Sequence, residues 1–131
     1  MLSNRFVGGR DGILKDYSAT DLGGIAIRAA LERSGIPPGK VSEVILGNVV
    51  AAGLGMALAK KASVAGGLPQ STPATVVNSV CSSGMTAVWL AVQAITMGTG
   101  DVIVAGGMES RTNAPYLLGP HTPDGKRIRG H

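Results

Sequence analysis

The sequence predicts an α/β fold in which a mostly parallel β-sheet is covered by α-helices. Segments of helix length and strand length alternate along the chain, in the order helix, strand, helix, strand, helix, strand. The strand segments are largely unbroken apolar runs, which is typical of parallel strands buried on both faces. The length of 131 residues fits one domain, and 44% hydrophobic against 15% charged residues fits a packed core rather than a disordered chain.

The first helix is predicted to begin after Ser18. Ser18 has the side chain of an N-cap, and Asp21 stands three residues later, as in a capping box. Small and apolar residues recur at helical spacing up to Ser34, and Gly35 ends the helix. Residues 1–17 show no such period, so we expect an irregular lead-in.

The middle of the chain predicts a strand, a helix and a second strand. Residues 41–46 form a short apolar run, and residues 57–65 have the length and composition of a helix. Lys60 and Lys61 in that helix are expected on an exposed face. Residues 74–80 are rich in β-branched side chains, which favour a strand.

A third helix is predicted over residues 85–97, because large apolar residues recur there at helical spacing. These residues are Met85, Val88, Trp89, Val92 and Ile95. An apolar strand follows at residues 102–105 and ends at two glycines. Residues 74–105 therefore form one βαβ unit of ordinary length, which joins two parallel strands.

Residues 1–118 are predicted to form the domain, and residues 119–131 a loop or disordered basic tail. The net charge is +4, and three of the basic residues are Lys126, Arg127 and Arg129, with no acid among residues 126–131. The basic charge therefore belongs to a terminus and not to a face that could follow phosphates, so we expect no nucleic-acid partner. The aromatic content of 3% agrees, because base-stacking surfaces need more aromatic rings.

The sequence also predicts whether the protein binds a membrane and which redox compartment it occupies. No apolar run approaches the length that crosses a bilayer, so we expect no membrane partner. The single cysteine cannot form an internal disulfide. A reducing compartment is therefore predicted, with the cytoplasm first and a mitochondrial location as the alternative.

Cys81 is the strongest candidate for a chemical role. It stands between a predicted strand and a predicted helix, at the end of a strand where open α/β sheets bind ligands. Unpaired N–H groups and the helix dipole at such a position favour a thiolate. Gly84 leaves room for close backbone approach. A lone cysteine is also often a small buried core residue, so position alone leaves both roles open.

The other candidates carry weaker patterns. Ser82 lacks the first glycine of the G-x-S-x-G elbow of hydrolases, so Ser82 and Ser83 are expected to satisfy free N–H groups in the first turn of the helix. His121 and His131 lie in the tail and are expected to be exposed. Glu109 is the acid nearest the predicted strand ends. It is expected either to act as an acid–base group or to form a structural ion pair. Neither a metal-ligand spacing nor a nucleotide fingerprint is present.

Several segments together resemble the thiolase family, and more narrowly its biosynthetic, acetyl-CoA C-acetyltransferase type. They are N-S-V-C-S-S-G-M-T-A-V at 78–88, V-A-G-G-M-E-S at 104–110, N-A-P-Y at 113–116, L-K-D-Y-S-A-T-D-L-G at 14–23 and G-N-V-V at 47–50. The resemblance implies a thiolase-like N-terminal domain and a Claisen-type acyl transfer between two coenzyme A thioesters, with thiolysis as its reverse.

The resemblance also implies roles and partners. Cys81 matches the family's nucleophile, which carries the acyl group as a thioester, and its backbone N–H would help to hold the oxyanion. Coenzyme A thioesters are the substrates, and no separate cofactor is implied. Full-length members of the family form homo-oligomers.

The sequence departs from the family in two ways. Family members have a second, similar domain that supplies a G-H-P histidine, an N-E-A-F asparagine and a second cysteine, and none of these motifs is present here. They also begin with a hydrophobic strand that is central in their sheet, whereas this chain starts at about the point where that strand ends. Residues 1–118 are therefore expected to be a partial domain with two unpaired inner strand edges.

We accordingly expect an N-terminal-domain fragment of an acyltransferase that is inactive by itself. Two alternatives stay open at this point. One is a non-catalytic interaction module derived from a thiolase. The other is a condensing enzyme similar to the β-ketoacyl synthases, which share the fold and the cysteine position.

Overall fold

The structure is a computed structural model that describes residues 12–116. The predicted alternation of helices and strands is confirmed, with one short 3₁₀ helix in addition. In chain order the elements are α1 (Ala19–Ser34), the 3₁₀ helix (Pro38–Lys40), β1 (Glu43–Gly47), α2 (Leu58–Ala65), β2 (Ala74–Val77), α3 (Ser83–Thr96) and β3 (Ile103–Gly107). The predicted boundary after residue 118 and the basic tail lie outside the described residues and remain predictions.

The three strands form one parallel sheet in the order β2-β1-β3, so the predicted fold class is confirmed. The expected pair of unpaired inner edges is not present in residues 12–116. Instead β1 and β3 pair directly over five residues, from Glu43 opposite Ile103 to Gly47 opposite Gly107. The expectation was wrong because the two strands lie next to each other and their backbone N–H and carbonyl groups pair with one another.

Helices cover both faces of the sheet. Alternate side chains of β1 point to opposite faces. Val44 and Leu46 join the core formed with α1 and α2. Ile45 packs on the other face against Ala87 and Ala91 of α3. The sheet is therefore the middle of three layers, with α1 and α2 on one side and α3 on the other.

The start of α1 is the predicted capping box. The Ser18 side chain accepts from the Asp21 backbone N–H at 3.2 Å, and the Asp21 carboxylate accepts from the Ser18 backbone N–H at 3.0 Å. The hydrogen bonds from Ser18, first from its hydroxyl and then from its N–H, lower the pKa of the Asp21 carboxyl. At the other end, Gly35 takes the left-handed conformation with φ 67°, which confirms the predicted stop.

Two expectations about burial are wrong. Thr75 and Val76 of β2 are exposed, because β2 is at the edge of the sheet and α2 and α3 only partly cover it. Lys60 is half-buried, since its ammonium group donates to the backbone carbonyls of Gln70 and Thr72. Lys61 is exposed as predicted.

Helix α3 forms where the spacing predicted it, but its large apolar residues face away from the sheet. Small residues, Ser83, Ala87 and Ala91, are the buried ones. Small side chains let the helix axis approach the strands closely. Val88, Trp89 and the other large apolar residues are left on the exposed side.

Candidate functional site

The site is built where the carboxyl ends of β1 and β3 meet the start of α3. The backbone N–H of Met108 donates to the carbonyl of Gly47 at 2.9 Å, which ties the two strand ends together. A Cβ atom on Gly47 would lie 2.5 Å from the carbonyl carbon of Ser83 and 2.6 Å from the nitrogen of Gly84. No side chain fits there, so Gly47 is what allows α3 to begin directly against the sheet.

The sequence pointed to Gly84 as the glycine that permits close approach. A Cβ atom on Gly84 would meet the nitrogen of Gly107 at 3.7 Å, an ordinary van der Waals contact. The steric requirement therefore falls on Gly47, at the end of a strand, and not on Gly84, in the helix. The Gly84 backbone does lie close to its neighbours, because a Cβ atom on Gly107 would meet the Cα of Gly84 at 3.5 Å, but the tighter contact at Gly47 joins distant segments and is not visible in the local sequence.

Strand β2 ends at Val77, three residues earlier than predicted, and a tight turn leads into α3. Val80 in this turn has a left-handed backbone, with φ 52°. A β-branched residue in that region costs about 1–3 kcal/mol and persists only where its surroundings hold it. The Val80 N–H donates to the Asn78 side chain at 3.0 Å, and the Ser83 N–H donates to the Val80 carbonyl at 3.2 Å. The turn that carries Cys81 is thus held in a single strained shape.

The two serines hold this turn and not the first turn of the helix. The Ser83 hydroxyl accepts from the Ser79 N–H at 2.9 Å and donates to the Val80 carbonyl at 2.5 Å. The Ser82 hydroxyl donates to the Ser79 carbonyl at 2.7 Å. Ser82 is the N-cap of α3 but makes no capping bond with its side chain. The prediction that both serines satisfy N–H groups of the helix is therefore wrong, although Ser83 does satisfy one in the turn.

Cys81 is an exposed, free thiol placed just before the N-cap of α3. The alternative that it is a small buried core residue is therefore wrong. Within residues 12–116 its sulfur has no hydrogen-bond partner, and its backbone N–H donates to no carbonyl at hydrogen-bond distance. Both groups are thus left available to a bound molecule.

A cleft of about 580 Å³ opens beside Cys81. This volume is within the range of sites that hold small molecules. Three segments form its wall: the end of β1, the turn into α3 and the end of β3. The lining residues are Gly47, Asn48, Val49, Val50, Val80, Cys81, Ser83, Gly84, Gly107, Met108, Glu109 and Arg111.

Glu109 joins two of these segments. Its carboxylate accepts from the backbone N–H of Val49 at 2.9 Å and from that of Val50 at 3.2 Å. It also accepts from the Asn48 side-chain amide at 3.1 Å. In the described part of the chain the carboxylate is thus held by N–H groups and not by a cation. The predicted ion pair is not what holds Glu109 here.

Asn48 was not among the residues expected at the site. It is 2% exposed, and its amide nitrogen donates to both Glu109 and the Met108 carbonyl, which fixes the orientation of the amide. Its amide oxygen has no partner in the structure. A polar residue directly after an apolar parallel strand is at the ligand-binding edge of such sheets, and that position could have identified it.

The remaining candidate residues from the sequence are the two histidines of the tail. His121 and His131 lie outside the described residues. Among residues 12–116, no group of three or more histidine, cysteine or acidic side chains could hold a metal ion. In the same range, no helix is both long enough and apolar enough to cross a membrane.

The fold and the site together define an α/β domain whose parallel sheet presents a free cysteine at its carboxyl edge. Residues 4–129 match the family model described as "Thiolase, N-terminal domain". The match covers almost the whole sequence, and the chain therefore belongs to the thiolase family.

Curated relatives agree with this assignment. The chain is 50% identical over 112 residues to acetyl-CoA acetyltransferase B, mitochondrial, of Xenopus laevis, covering 86% of this chain and 27% of that protein. It is 50% identical over 112 residues to acetyl-CoA acetyltransferase 2 of Arabidopsis thaliana, covering 86% and 28%. It is 52% identical over 112 residues to a probable acetyl-CoA acetyltransferase of Mycolicibacterium smegmatis, covering 86% and 29%.

The chain thus spans a little over a quarter of the length of these relatives. The relatives share the name acetyl-CoA acetyltransferase. That name does not favour the two alternatives, a β-ketoacyl-synthase-like enzyme and a non-catalytic interaction module.

Proposed function

We propose that this chain carries the acyl-accepting part of a thiolase-type site, with Cys81 as the nucleophile. The observation that carries the proposal is an exposed thiol without a hydrogen-bond partner in residues 12–116, placed in a cleft at the carboxyl edge of the sheet. The Cys81 thiolate attacks the carbonyl carbon of an acyl-CoA thioester. The bond from that carbon to the coenzyme A sulfur then breaks, coenzyme A leaves as a thiol with the proton that Cys81 gave up, and acyl-Cys81 remains.

The position of Cys81 supports this step in two ways. It comes just before the N-terminus of the 14-residue helix α3 and lines the cleft that a substrate would enter. Its backbone N–H donates to no carbonyl at hydrogen-bond distance in the described residues, so it can donate to the oxyanion that forms on the thioester carbonyl. The strained turn at Val80 keeps both groups in one place while the acyl group arrives.

The substrate class follows from the names of the relatives. Acetyl-CoA is the proposed acyl donor, and in the complete reaction the acetyl group passes to the α-carbon of a second acyl-CoA. No separate cofactor takes part, because the sulfur of Cys81 carries the group between the two substrates. The proposal includes self-association, as in full-length family members. It also includes a reducing compartment, the cytoplasm or the mitochondrion, because Cys81 must stay a free thiol.

The experiment that tests this function is acetyl transfer to the protein itself. Purified chain is incubated with acetyl-CoA at neutral pH, and intact mass is followed over time. We expect one acetyl group per chain, absent from Cys81→Ser and retained in the matched variant Ser82→Ala. An acetyl group that persists in Cys81→Ser, or wild-type protein that is never labelled although its thiol reacts with iodoacetamide, would show that Cys81 is not the acceptor.

A further inference from the structure

Among the described residues that line the cleft beside Cys81, two are charged, and they carry opposite charges. They are Glu109 and Arg111, which both follow the end of β3. The Glu109 carboxylate accepts hydrogen bonds from N–H groups of residues 48–50. These N–H dipoles offset part of its negative charge, so the acidic member of the pair is already engaged within the protein.

Arg111 is not engaged in this way. It is exposed, and within residues 12–116 its guanidinium group has neither a hydrogen bond nor an ion pair, because the side chains next to it bond elsewhere. A guanidinium group keeps its positive charge at any ordinary pH. It also offers five N–H donors in a flat fork that fits two oxygens of one anion. The cleft therefore presents one positive charge whose donors are all available.

The backbone that carries Arg111 is held in place on both sides. The Ser110 hydroxyl donates to the Tyr17 carbonyl at 3.0 Å. The Asn113 amide donates to the same carbonyl at 2.9 Å and to the Lys15 carbonyl at 2.8 Å. Residues 110–113 are thus tied to the segment before α1, and this keeps the Arg111 side chain at the cleft.

We propose that Arg111 is the anion-recognising residue of the cleft, and that the molecule that reacts with Cys81 carries a carboxylate or phosphate group that Arg111 binds. Both residues line the same cleft, so one bound molecule can contact both of them. Two parts of an acyl-CoA can supply the anion, either a carboxylate at the far end of the acyl group or a phosphate of coenzyme A. The choice between these two parts rests on the proposed function, whereas the preference of the cleft for an anion does not.

Two alkylating reagents test the preference for an anion without any acyl-CoA. Iodoacetate and iodoacetamide are of similar size and both alkylate a thiol with loss of iodide, but only iodoacetate is charged. The rate constant of each reagent with Cys81 is measured on the full 131-residue chain. The ratio of the iodoacetate to the iodoacetamide rate constant is then compared with the same ratio for N-acetylcysteamine, an uncharged small thiol.

The expected result follows from the attraction between two opposite charges in a partly exposed cleft. We expect the ratio for Cys81 to exceed the ratio for the small thiol by about 3- to 10-fold at low ionic strength. The excess should disappear in about 1 M salt, because salt screens the attraction.

Charge variants assign the preference to Arg111. Arg111→Gln should lower the ratio to that of the small thiol, and Arg111→Lys, which keeps the charge without the flat fork, should keep part of the excess. Arg33→Gln is the matched control, since Arg33 is an exposed arginine that does not line the cleft and its loss changes the net charge equally. If Arg111→Gln proves unfolded by circular dichroism, the wild-type salt dependence and Arg111→Lys decide the question.

Thioesters of N-acetylcysteamine distinguish the two sources of the anion, because this carrier lacks the phosphates of coenzyme A. If Arg111→Gln slows acylation of Cys81 by succinyl- but not by butyryl-N-acetylcysteamine, Arg111 binds a carboxylate of the acyl group. If it slows acylation by acetyl-CoA but not by acetyl-N-acetylcysteamine, Arg111 binds a phosphate. If it changes neither comparison although the wild type is acylated, the anion is not part of an acyl-CoA, and the assignment to that substrate is overturned.

Two outcomes with the alkylating reagents would overturn the anion site itself. One is a wild-type ratio equal to that of the small thiol at low ionic strength. The other is a folded Arg111→Gln chain that keeps the same excess as Arg33→Gln. An excess that depends on Arg111, in a chain that no thioester acylates, would support the anion site and count against the proposed function.

Discussion

The carboxylate of Glu109, just past the end of β3, accepts a hydrogen bond of 2.9 Å from the backbone N–H of Val49, just past the end of β1. The two residues are 60 positions apart in sequence, yet this contact and the neighbouring one to Val50 join two walls of the Cys81 cleft. The shape of the cleft therefore depends on the Glu109 side chain, although Glu109 and Cys81 share no hydrogen bond in residues 12–116.

Glu109→Gln should consequently destabilise the chain. A Gln side chain offers one acceptor oxygen where Glu offers two, and its NH₂ group faces backbone donors. Loss of hydrogen bonds to a charged group predicts a decrease of about 1.5–3 kcal/mol in the free energy of unfolding, measured by urea denaturation. Glu32→Gln, an exposed position on α1, is the control. Equal stability of the two variants would contradict a role for Glu109 in holding Val49 and Val50 after the end of β1.

Gly47→Ala is predicted to disrupt the start of α3. The added Cβ atom would fall within 2.6 Å of backbone atoms of Ser83 and Gly84, and backbone cannot move aside as a flexible side chain can. We expect a loss of about 3 kcal/mol or more in unfolding free energy, above the usual range for overpacking. Circular dichroism with urea measures this loss.

Gly106→Ala is the matched control for Gly47→Ala. Gly106 lies in β3, next to the register partner of Gly47, and a Cβ atom there would meet no atom within 4 Å. The unfolding free energy of the Gly106→Ala chain should differ from that of the wild type by less than about 1 kcal/mol. Similar losses in both variants would mean that glycine matters at the strand ends for backbone freedom and not for the close approach of α3.

The comparison of these glycines shows what the sequence can and cannot predict. The order of elements, the parallel sheet and the cap at Ser18 follow from local patterns, and all three are confirmed. The contact between Gly47 and Ser83 could not be predicted, because it depends on how closely two distant segments approach. Local composition around Cys81 made Gly84 the obvious residue.

Helix α3 illustrates the same limit. An apolar stripe predicts a helix whether the stripe faces the sheet or a partner, since the period is identical. Which side is buried depends on the layers around it, and here the small side chains of Ala87 and Ala91 allow the closer packing. The position of Cys81 after a strand predicts a candidate site residue, and its exposure could be known only from the fold.

The stability of the chain should depend on pH through Asp21. Its pKa is lowered in the folded state by the hydrogen bonds from Ser18. A lowered pKa means that the stabilisation is fully present above the ordinary aspartate pKa of about 3.9 and is lost as the pH falls through the folded value. Asp21→Asn should therefore lower the melting temperature at pH 7, and the difference from the wild type should shrink as the solution becomes more acidic.

Asp16→Asn is the control for this pH dependence. Asp16 is also an exposed aspartate near the start of α1, but it has no part in the capping box. Melting curves of the wild type, Asp21→Asn and Asp16→Asn are recorded from pH 7 down to pH values below the ordinary aspartate pKa. At neutral pH, Asp21→Asn should melt at a lower temperature than the other two proteins. A difference that stays constant with pH would show that the Asp21 side chain stabilises the helix without its charge.

Repeated turnover is expected to need groups beyond Cys81 and its cleft. Purified chain should accept an acetyl group on Cys81 but should not catalyse repeated condensation of acetyl-CoA or thiolysis of acetoacetyl-CoA. Condensation requires a group that takes a proton from the second substrate, and a positioned acid or base is typically worth about 10²–10⁴ in rate. The resemblance to the family implies that a G-H-P histidine and a second cysteine take these roles. Neither motif is in the sequence. Steady-state assays at substrate in large excess, compared with the Cys81→Ser chain, measure this directly.

The two stages are separable because they need different groups. In the proposed function, acylation uses the sulfur of Cys81, its backbone N–H and the cleft beside it, and these three features lie in the described residues. Carbon–carbon bond formation needs a further proton acceptor in contact with the second substrate. Stoichiometric labelling without turnover is therefore the expected pair of results. Sustained turnover that disappears in Cys81→Ser would contradict the prediction and require a base within this chain, and His121→Ala would then show whether that base is His121.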